Sequence, residues 1–165
     1  LKPQKGSCGG GIRLVQSWEQ VEKALAEGKK EERKNWLAKM RGYGSLVAQE
    51  YISRPALLGG YKFDCRIYVV VTALQPLKAF VLHEGMGRVC VEKYAPPSSS
   101  NLRSTCVHLT NYAVNKMSDK FVQGKLVADW KGGDGKVLDP HANKRLISTV
   151  IGQLRAEGHP SLTPA

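Results

Sequence analysis

Cysteine is scarce and scattered in this chain. The four thiols, Cys8, Cys65, Cys90 and Cys106, form no Cys-x-x-Cys pair, which argues against a zinc knuckle or a redox dithiol. A reduced, cytosolic setting is the simplest one for such thiols. Cys65 and Cys90 sit inside apolar strand patterns and are expected to be buried. Long hydrophobic runs are missing as well: no stretch of about 18 apolar residues could span a bilayer, and no charged-then-apolar leader opens the chain. Acidic residues are outnumbered, 14 against 25 Lys plus Arg, for a net charge of +11. That excess favours a polyanionic partner such as nucleic acid, an anionic membrane or an acidic protein tail. Nucleic acid has only charge in its favour, since no DNA- or RNA-binding motif occurs. The basic cluster Lys29, Lys30, Arg33, Lys34, Lys39 and Arg41 is broken by Glu31 and Glu32 and reads as a solvated face. The common nucleotide signatures are also absent. There is no Gly-x-x-x-x-Gly-Lys-Ser/Thr, no Gly-x-Gly-x-x-Gly, no His-Arg-Asp and no Asp-Phe-Gly.

What remains is 165 residues, 42% of them apolar, enough for one modest domain with a core. The start at Leu1-Lys2-Pro3 reads as the middle of a longer polypeptide. A glycine-rich loop, Gly6 to Gly11, leads into an expected strand at Ile12–Val15. Ser17 and Gln20 form a capping box for a helix carrying Val21 and Leu25, which Gly28 is expected to stop. A charged connection follows, ending at Gly42-Tyr43-Gly44. Leu46 to Ile52 reads as a strand, broken by Arg54-Pro55. Asp64 to Leu74, Lys78 to Glu84 and Arg88 to Lys93 are β-rich runs joined by Gln75-Pro76 and Gly85-Met86-Gly87, which predicts a three-stranded antiparallel meander. Ala95 to Arg103 is a surface loop. Leu146, Ile147, Val150, Ile151 and Leu154 share one helical face closed by Gly158, and the tail from Pro160 to Ala165 is expected to fray.

Three segments and a turn carry groups suited to anions. Lys62, Asp64 and Arg66 alternate on one extended run, so they share a face. Three charges beside a valine-rich run suggest a strand end that opens into a polar cleft, although an exposed face with weak ion pairs of about 0–1 kcal/mol is the plainer reading. Arg88 follows Glu84-Gly85-Met86-Gly87 at the start of the next strand. His108-Leu109-Thr110-Asn111 offers a hydroxyl and an amide that can bind phosphate or carboxylate oxygens. A lone His beside a strand is more often structural, so His108 is given a supporting part. Gln49-Glu50-Tyr51-Ile52 could offer main-chain groups to a base edge while Ile52 packs on the ring. The glycine loop by itself is only a turn, though one whose amides can approach a phosphate.

Taken together and in this order, these blocks resemble the tubulin tyrosine ligase-like family of ATP-grasp amino-acid ligases, over roughly residues 2–121. The forms Gly-Tyr-Lys-Phe-Asp-x-Arg-Ile-Tyr, Glu-Gly-x-x-Arg and Asn-Tyr-x-x-Asn-Lys are most similar to its polyglutamylase branch. Two positions depart: Gly10 stands where a basic residue is usual, and Glu50 where Lys or an apolar residue is common. The resemblance implies an α+β, ATP-grasp-like fold, an antiparallel sheet with flanking helices forming an incomplete core. Residues 1–165 would then be a partial catalytic domain. It also implies ATP-dependent ligation of an amino acid, glutamate foremost, to tubulin carboxylates through an acyl phosphate, in the parent enzyme. Lys2, Gln49, Glu50, Tyr51, Ile52, Lys62 and Asp64 would bind ATP. Arg66 and Arg88 would stabilise the acyl intermediate, with Thr110 and Asn111 contacting ligand. Mg²⁺ is implied too, but the family's Glu-x-Asn metal motif does not occur in this chain. Asp119, Asp129, Asp134, Asp139 and Glu157 do not replace it, so no metal ligand is assigned here. The piece alone is therefore expected to be inactive. Acidic tubulin tails are the implied partner, with neither nucleic acid nor membrane, and cytoplasm, cytoskeleton, cilium or basal body the implied settings. The alternative is a non-catalytic microtubule- or polyanion-binding module.

Overall fold

The computed structural model describes residues 1–34, 45–124 and 141–159. Several expectations fall outside these residues: the Gly42-Tyr43-Gly44 end of the charged connection, Lys39 and Arg41, the carboxylates Asp129, Asp134 and Asp139, and the tail from Pro160. The chain divides into two compact units, Leu1–Pro55 with Ala95–Thr105, and Ala56–Tyr94 with Cys106–Ala165. No helix of the described residues is long and apolar enough to cross a membrane.

In the first unit, β1 (Lys2–Pro3) pairs antiparallel with β2 (Leu46–Val47). The expected strand from Leu46 to Ile52 stops at Val47 because β1 offers only two residues to pair with. Ile12–Val15 joins no ladder; its Arg13 amide donates to the Leu1 carbonyl at 2.9 Å. Helix α1 (Trp18–Lys34) starts where the sequence places it. The Gln20 amide donates to Ser17 Oγ at 3.3 Å, while Gln20 Oε1 accepts from the Gln16 amide at 2.9 Å, one residue earlier than a strict capping box. Gly28 does not stop this helix. It lies buried inside α1, because an interior glycine costs about 1 kcal/mol but leaves the hydrogen-bond ladder intact. The loop after Ala95 is tied by Asn101, whose Oδ1 accepts the Ser98 amide at 2.8 Å and whose Nδ2 donates to the Pro96 carbonyl at 2.9 Å.

The second unit holds a four-stranded antiparallel sheet in the order β3-β4-β7-β8, from β3 (Leu57–Leu58), β4 (Tyr61–Arg66), β7 (Met86–Lys93) and β8 (Lys144–Leu146). Helix α4 (Ile147–Ala156) follows β8 directly. Its Val150 and Leu154 pack with Leu58 and Val89, and Tyr61 and Phe63 close the cluster. Gly87 makes this approach possible, since a Cβ there would overlap Val150 Cγ2. Gly158 ends α4 as expected, with φ +74°. Its amide donates to the Arg155 carbonyl at 3.0 Å and the His159 amide to Leu154 at 3.1 Å, a Schellman closure. Two single-turn helices, α2 (Thr105–His108) and α3 (Tyr112–Asn115), lie between β7 and β8.

The expected meander does not form. β4 pairs with β7, and the intervening β5 (Val69–Leu74) and β6 (Leu77–Val81) pair with each other and with no other strand among the described residues. The Leu82 amide donates to the Tyr68 carbonyl at 2.9 Å and closes the base of this hairpin. Its residues are exposed on both faces, Leu74 to 80% and Phe80 to 60%. Alternating apolar residues mark a strand but do not name its neighbour, and here the ladder of β4 goes to the strand after the hairpin. Cys90 is buried as expected, whereas Cys65 is exposed. A period of two assigns a side of the sheet, not the cover over that side.

Candidate functional site

Register extends the charged face of β4 across the sheet. Asp64 stands opposite Arg88, and Arg88 opposite Lys144; Arg66 stands opposite Met86, and Met86 opposite Leu146. Opposed residues of antiparallel strands project to one side. The other side carries Phe63 and Val89 under α4, so these two rows face away from the core. Arg88 Nε donates to Asp64 Oδ1 at 2.9 Å and Nη2 to Oδ2 at 2.6 Å. The two side chains are 20% and 34% exposed, a part-buried pair. The hydrogen bonds to Asp64 hold the Arg88 guanidinium above its ordinary pKa, against burial, and Asp64's charge adds to the effect. Burial pushes the Lys62 ammonium down. A guanidinium already held by a carboxylate fork needs little reorganisation when an oxyanion arrives beside it.

The turn into Arg88 is fixed from far along the chain. Glu84 Oε1 accepts the amides of Gly85 at 2.9 Å, Ile147 at 2.9 Å and Ser148 at 3.2 Å, while Oε2 accepts the Ser148 hydroxyl at 2.6 Å. The carboxylate thus caps the N-terminus of α4, where its charge also suits the helix dipole. Burial works against its ionisation, but the bonds from the Ser148 hydroxyl and from the Gly85, Ser148 and Ile147 amides win and hold its carboxyl below the ordinary range. No local pattern marked Glu84 as a cap because, apart from the Gly85 amide, its partners lie more than sixty residues away.

Thr110 and Asn111 sit between α2 and α3. The residue that positions them is Asn115, to which the sequence reading assigned nothing. Buried, it donates from Nδ2 to the Leu109 carbonyl at 2.7 Å and the Asn111 carbonyl at 3.0 Å. Its Oδ1 accepts the Val91 amide at 3.0 Å and so hooks the segment onto β7. The available signal was its place in Asn-Tyr-x-x-Asn-Lys. His108 is buried with its ring edge-on to Tyr94, centroids 6.3 Å apart, an architectural place. Asn143 does similar work, with Oδ1 accepting the Val122 amide at 2.8 Å and Nδ2 donating to the Val89 carbonyl at 2.9 Å.

The remaining expected site residues lie in the first unit. Lys2 Nζ donates to Gln49 Oε1 at 3.1 Å, which brings two of them together. Glu50 and Ile52 are exposed and Tyr51 is half-buried, all three outside any strand. The glycine loop consists of two linked turns, with the Gly10 amide donating to the Ser7 carbonyl at 3.1 Å and Ile12 to Gly9 at 3.3 Å. Lys62, Asp64, Arg66, Arg88, Thr110 and Asn111 all belong to the second unit. There the two opposed rows hold three cations, Arg66, Arg88 and Lys144, against one carboxylate, Asp64. That composition fits phosphate and carboxylate oxygens. It does not fit Mg²⁺, and among the described residues no group of three His, Cys, Asp or Glu could hold a metal.

Residues 1–138, which include both groups of site residues, match the family model described as the tubulin-tyrosine ligase family. The chain belongs to that family. It is 40% identical over 121 residues to tubulin polyglutamylase TTLL7 of Mus musculus, covering 73% of this chain and 11% of that protein. It is 46% identical over 105 residues to tubulin polyglutamylase TTLL13 of Homo sapiens, covering 64% of this chain and 11% of that protein. To tubulin polyglutamylase ttll-11 of Caenorhabditis elegans it is 35% identical over 159 residues, 96% of this chain and 19% of that protein. The chain therefore spans less than a fifth of each of these relatives. As a tubulin-tyrosine ligase family member it places Lys62, Asp64, Arg66 and Arg88 within the matched residues, while β8 and α4 lie beyond them.

Proposed function

We propose that this chain is part of an ATP-dependent ligase that joins an amino acid, glutamate foremost, to carboxylates on tubulin. The observation that carries this reading is the Arg88 guanidinium fixed by both oxygens of Asp64, with Arg66 one row away on a face rich in cations. Family membership and the polyglutamylase names of the relatives support the substrate class, and the net charge of +11 suits acidic tubulin tails. Residues 1–165 are then a partial ATP-grasp-like catalytic domain. ATP, when bound, supplies the phosphoryl group that activates the acceptor carboxylate as an acyl phosphate. Lys2 and Lys62 hold phosphate oxygens, and Gln49 to Ile52 present main-chain groups to the base. Asp64 orients Arg88 besides any contact to the ribose. Arg66 and Arg88 stabilise the charge that grows on the acyl group as the incoming amine attacks its carbonyl carbon and phosphate leaves. Thr110 and Asn111, held by Asn115, contact phosphate or carboxylate oxygens. Mg²⁺ ligands belong to other residues of the polypeptide, since the opposed rows offer one carboxylate already committed to Arg88. The setting is the cytoskeleton, in cytoplasm or at a cilium.

The test is incorporation of radiolabelled glutamate into tubulin by the polypeptide that carries this chain, with ATP and Mg²⁺. Labelling that disappears in Arg66→Ala and Arg88→Ala is expected. No labelling under any nucleotide or metal condition would remove the ligase reading. The poor fit to metal favours one alternative, a non-catalytic module that binds microtubules through their acidic tails; salt-sensitive co-sedimentation without labelling would establish it.

A further inference from the structure

A pocket of about 310 Å³ opens in the second unit, with Tyr68, Met86, Phe121, Lys144 and Leu146 among its lining residues. Met86 and Leu146 oppose each other in the sheet, in the same row as Arg66 and one row from Asp64–Arg88–Lys144. The pocket therefore has an apolar floor lying next to the charged rows, on their side of the sheet. Two cations, Lys144 and Arg145, and the Glu84 carboxylate stand at its wall. Arg145 donates to the Ala142 carbonyl and to Gln153 Oε1, and Glu84 accepts from the N-terminus of α4. The Lys144 ammonium lies 4.0 Å from the centre of the Tyr112 ring, and Phe121 meets that ring edge-on with centroids 5.6 Å apart. A ring face holds a cation in place without neutralising it, and leaves N–H donors directed at an incoming anion. Among the described residues Lys144 takes part in no ion pair. The residues matched by the family model end at 138, so Lys144 and Leu146 lie outside that match.

The volume is at the small end of the roughly 300–1,000 Å³ typical of small-molecule sites. It suits a ligand of amino-acid size better than a whole nucleotide. The chemistry asks for a short hydrocarbon stem over Met86 and Leu146 and a negative group at Lys144. We propose that this pocket seats the amino acid to be ligated, an amino dicarboxylate, with a carboxylate at the Lys144 ammonium and the stem on Met86 and Leu146. The assignment rests on the ligase reading for its role and on the pocket itself for its chemistry. Lys144 becomes a substrate-contacting residue alongside Arg66 and Arg88.

Methionine methyl groups offer a direct readout, because the chain has three methionines and, among the described residues, only Met86 lines this pocket. In chain labelled with ¹³C-methyl methionine, L-glutamate is expected to shift the Met86 resonance saturably and leave Met117 in place. Lys144→Gln should weaken that response about tenfold, the usual scale for losing a charged hydrogen bond, and Lys144→Arg should restore most of it. Met117 is exposed, so the fold of each variant is checked instead by a melting transition that matches the parent's. The wild-type chain also gives a test that needs no variant: inorganic phosphate at equal concentration should not reproduce the glutamate shift. No Met86 response to glutamate, an equal response to phosphate, or a glutamate response unchanged by Lys144→Gln would each overturn the proposal. Incorporation into tubulin separates it from the ligase reading. A Lys144-dependent shift with no incorporation keeps the pocket and removes the ligase. Incorporation with a glutamate KM unchanged by Lys144→Gln keeps the ligase and removes the pocket.

Discussion

On one side of the four-stranded sheet, Phe63, Gly87 and Val89 lie beneath Val150 and Leu154 of α4; on the other, the same strands present Asp64, Arg66, Arg88 and Lys144. The first face is close-packed, to the point that a single added carbon at Gly87 finds no room. The second holds three cations and one carboxylate in adjoining rows, part-exposed and ordered by a bidentate ion pair. Stability should therefore reside in one face and chemistry in the other. The β5–β6 hairpin sharpens the contrast, because its valines are as apolar as those of β7 but no element covers either face among the described residues.

The largest expected effect falls on the charged face. Arg88→Ala and Arg66→Ala should each lower turnover by about 100-fold or more, the scale for removing one preorganised charge from a developing oxyanion. Thermal unfolding should change little for Arg66→Ala, whose side chain is exposed, and should fall moderately for Arg88→Ala, which leaves the part-buried Asp64 carboxylate without its partner. Glutamate incorporation and melting curves on the same preparations check this. A large loss of melting temperature with normal turnover would reverse the roles of the two faces.

Next comes Gly87→Ala on the packed face, expected to destabilise by about 1–3 kcal/mol, as overpacking does. Combining it with Val150→Ala should recover part of that loss, because the two changes share one space and should not add. Strict additivity in denaturant titrations would show that Gly87 and Val150 do not constrain each other.

Lys62→Ala should be milder, raising the apparent ATP requirement several-fold with turnover nearly kept, as expected for a lost ground-state contact. Superimposable ATP titrations of variant and parent would place Lys62 outside the site.

The smallest effect concerns Glu84, which joins the two faces by capping α4 while it holds the turn that leads into the strand of Arg88. Its folded pKa lies below the ordinary 4.5, so its contribution is complete above that value and fades as pH falls through the lower folded value. Melting temperatures of the parent and of Glu84→Gln, compared from neutral pH to below pH 4, should therefore converge on acidification. A gap that widens toward acid would contradict the capping geometry.

Much of this was written in the sequence. Local rules placed the start of α1 at Ser17 and the end of α4 at Gly158, because caps use residues within one turn of each other. Alternation put Lys62, Asp64 and Arg66 on one side of a strand, since the pleat alone dictates it. Tertiary structure decided the rest. Which strand β4 would join depended on a ladder twenty residues away, so Arg88 met Asp64 while β5 and β6 turned outward. Cys65 is exposed although it shares a row with Gly87 on the α4 side, and Cys90 is buried, because the cover over a sheet varies along its length. Lys144 reached the charged rows only because β8 returns beside β7, and Glu84 became a cap only because that return brings α4 to it. Hydrogen bonds and close packing act over a few ångströms of space, and no local pattern records which distant residues the fold will carry into that range.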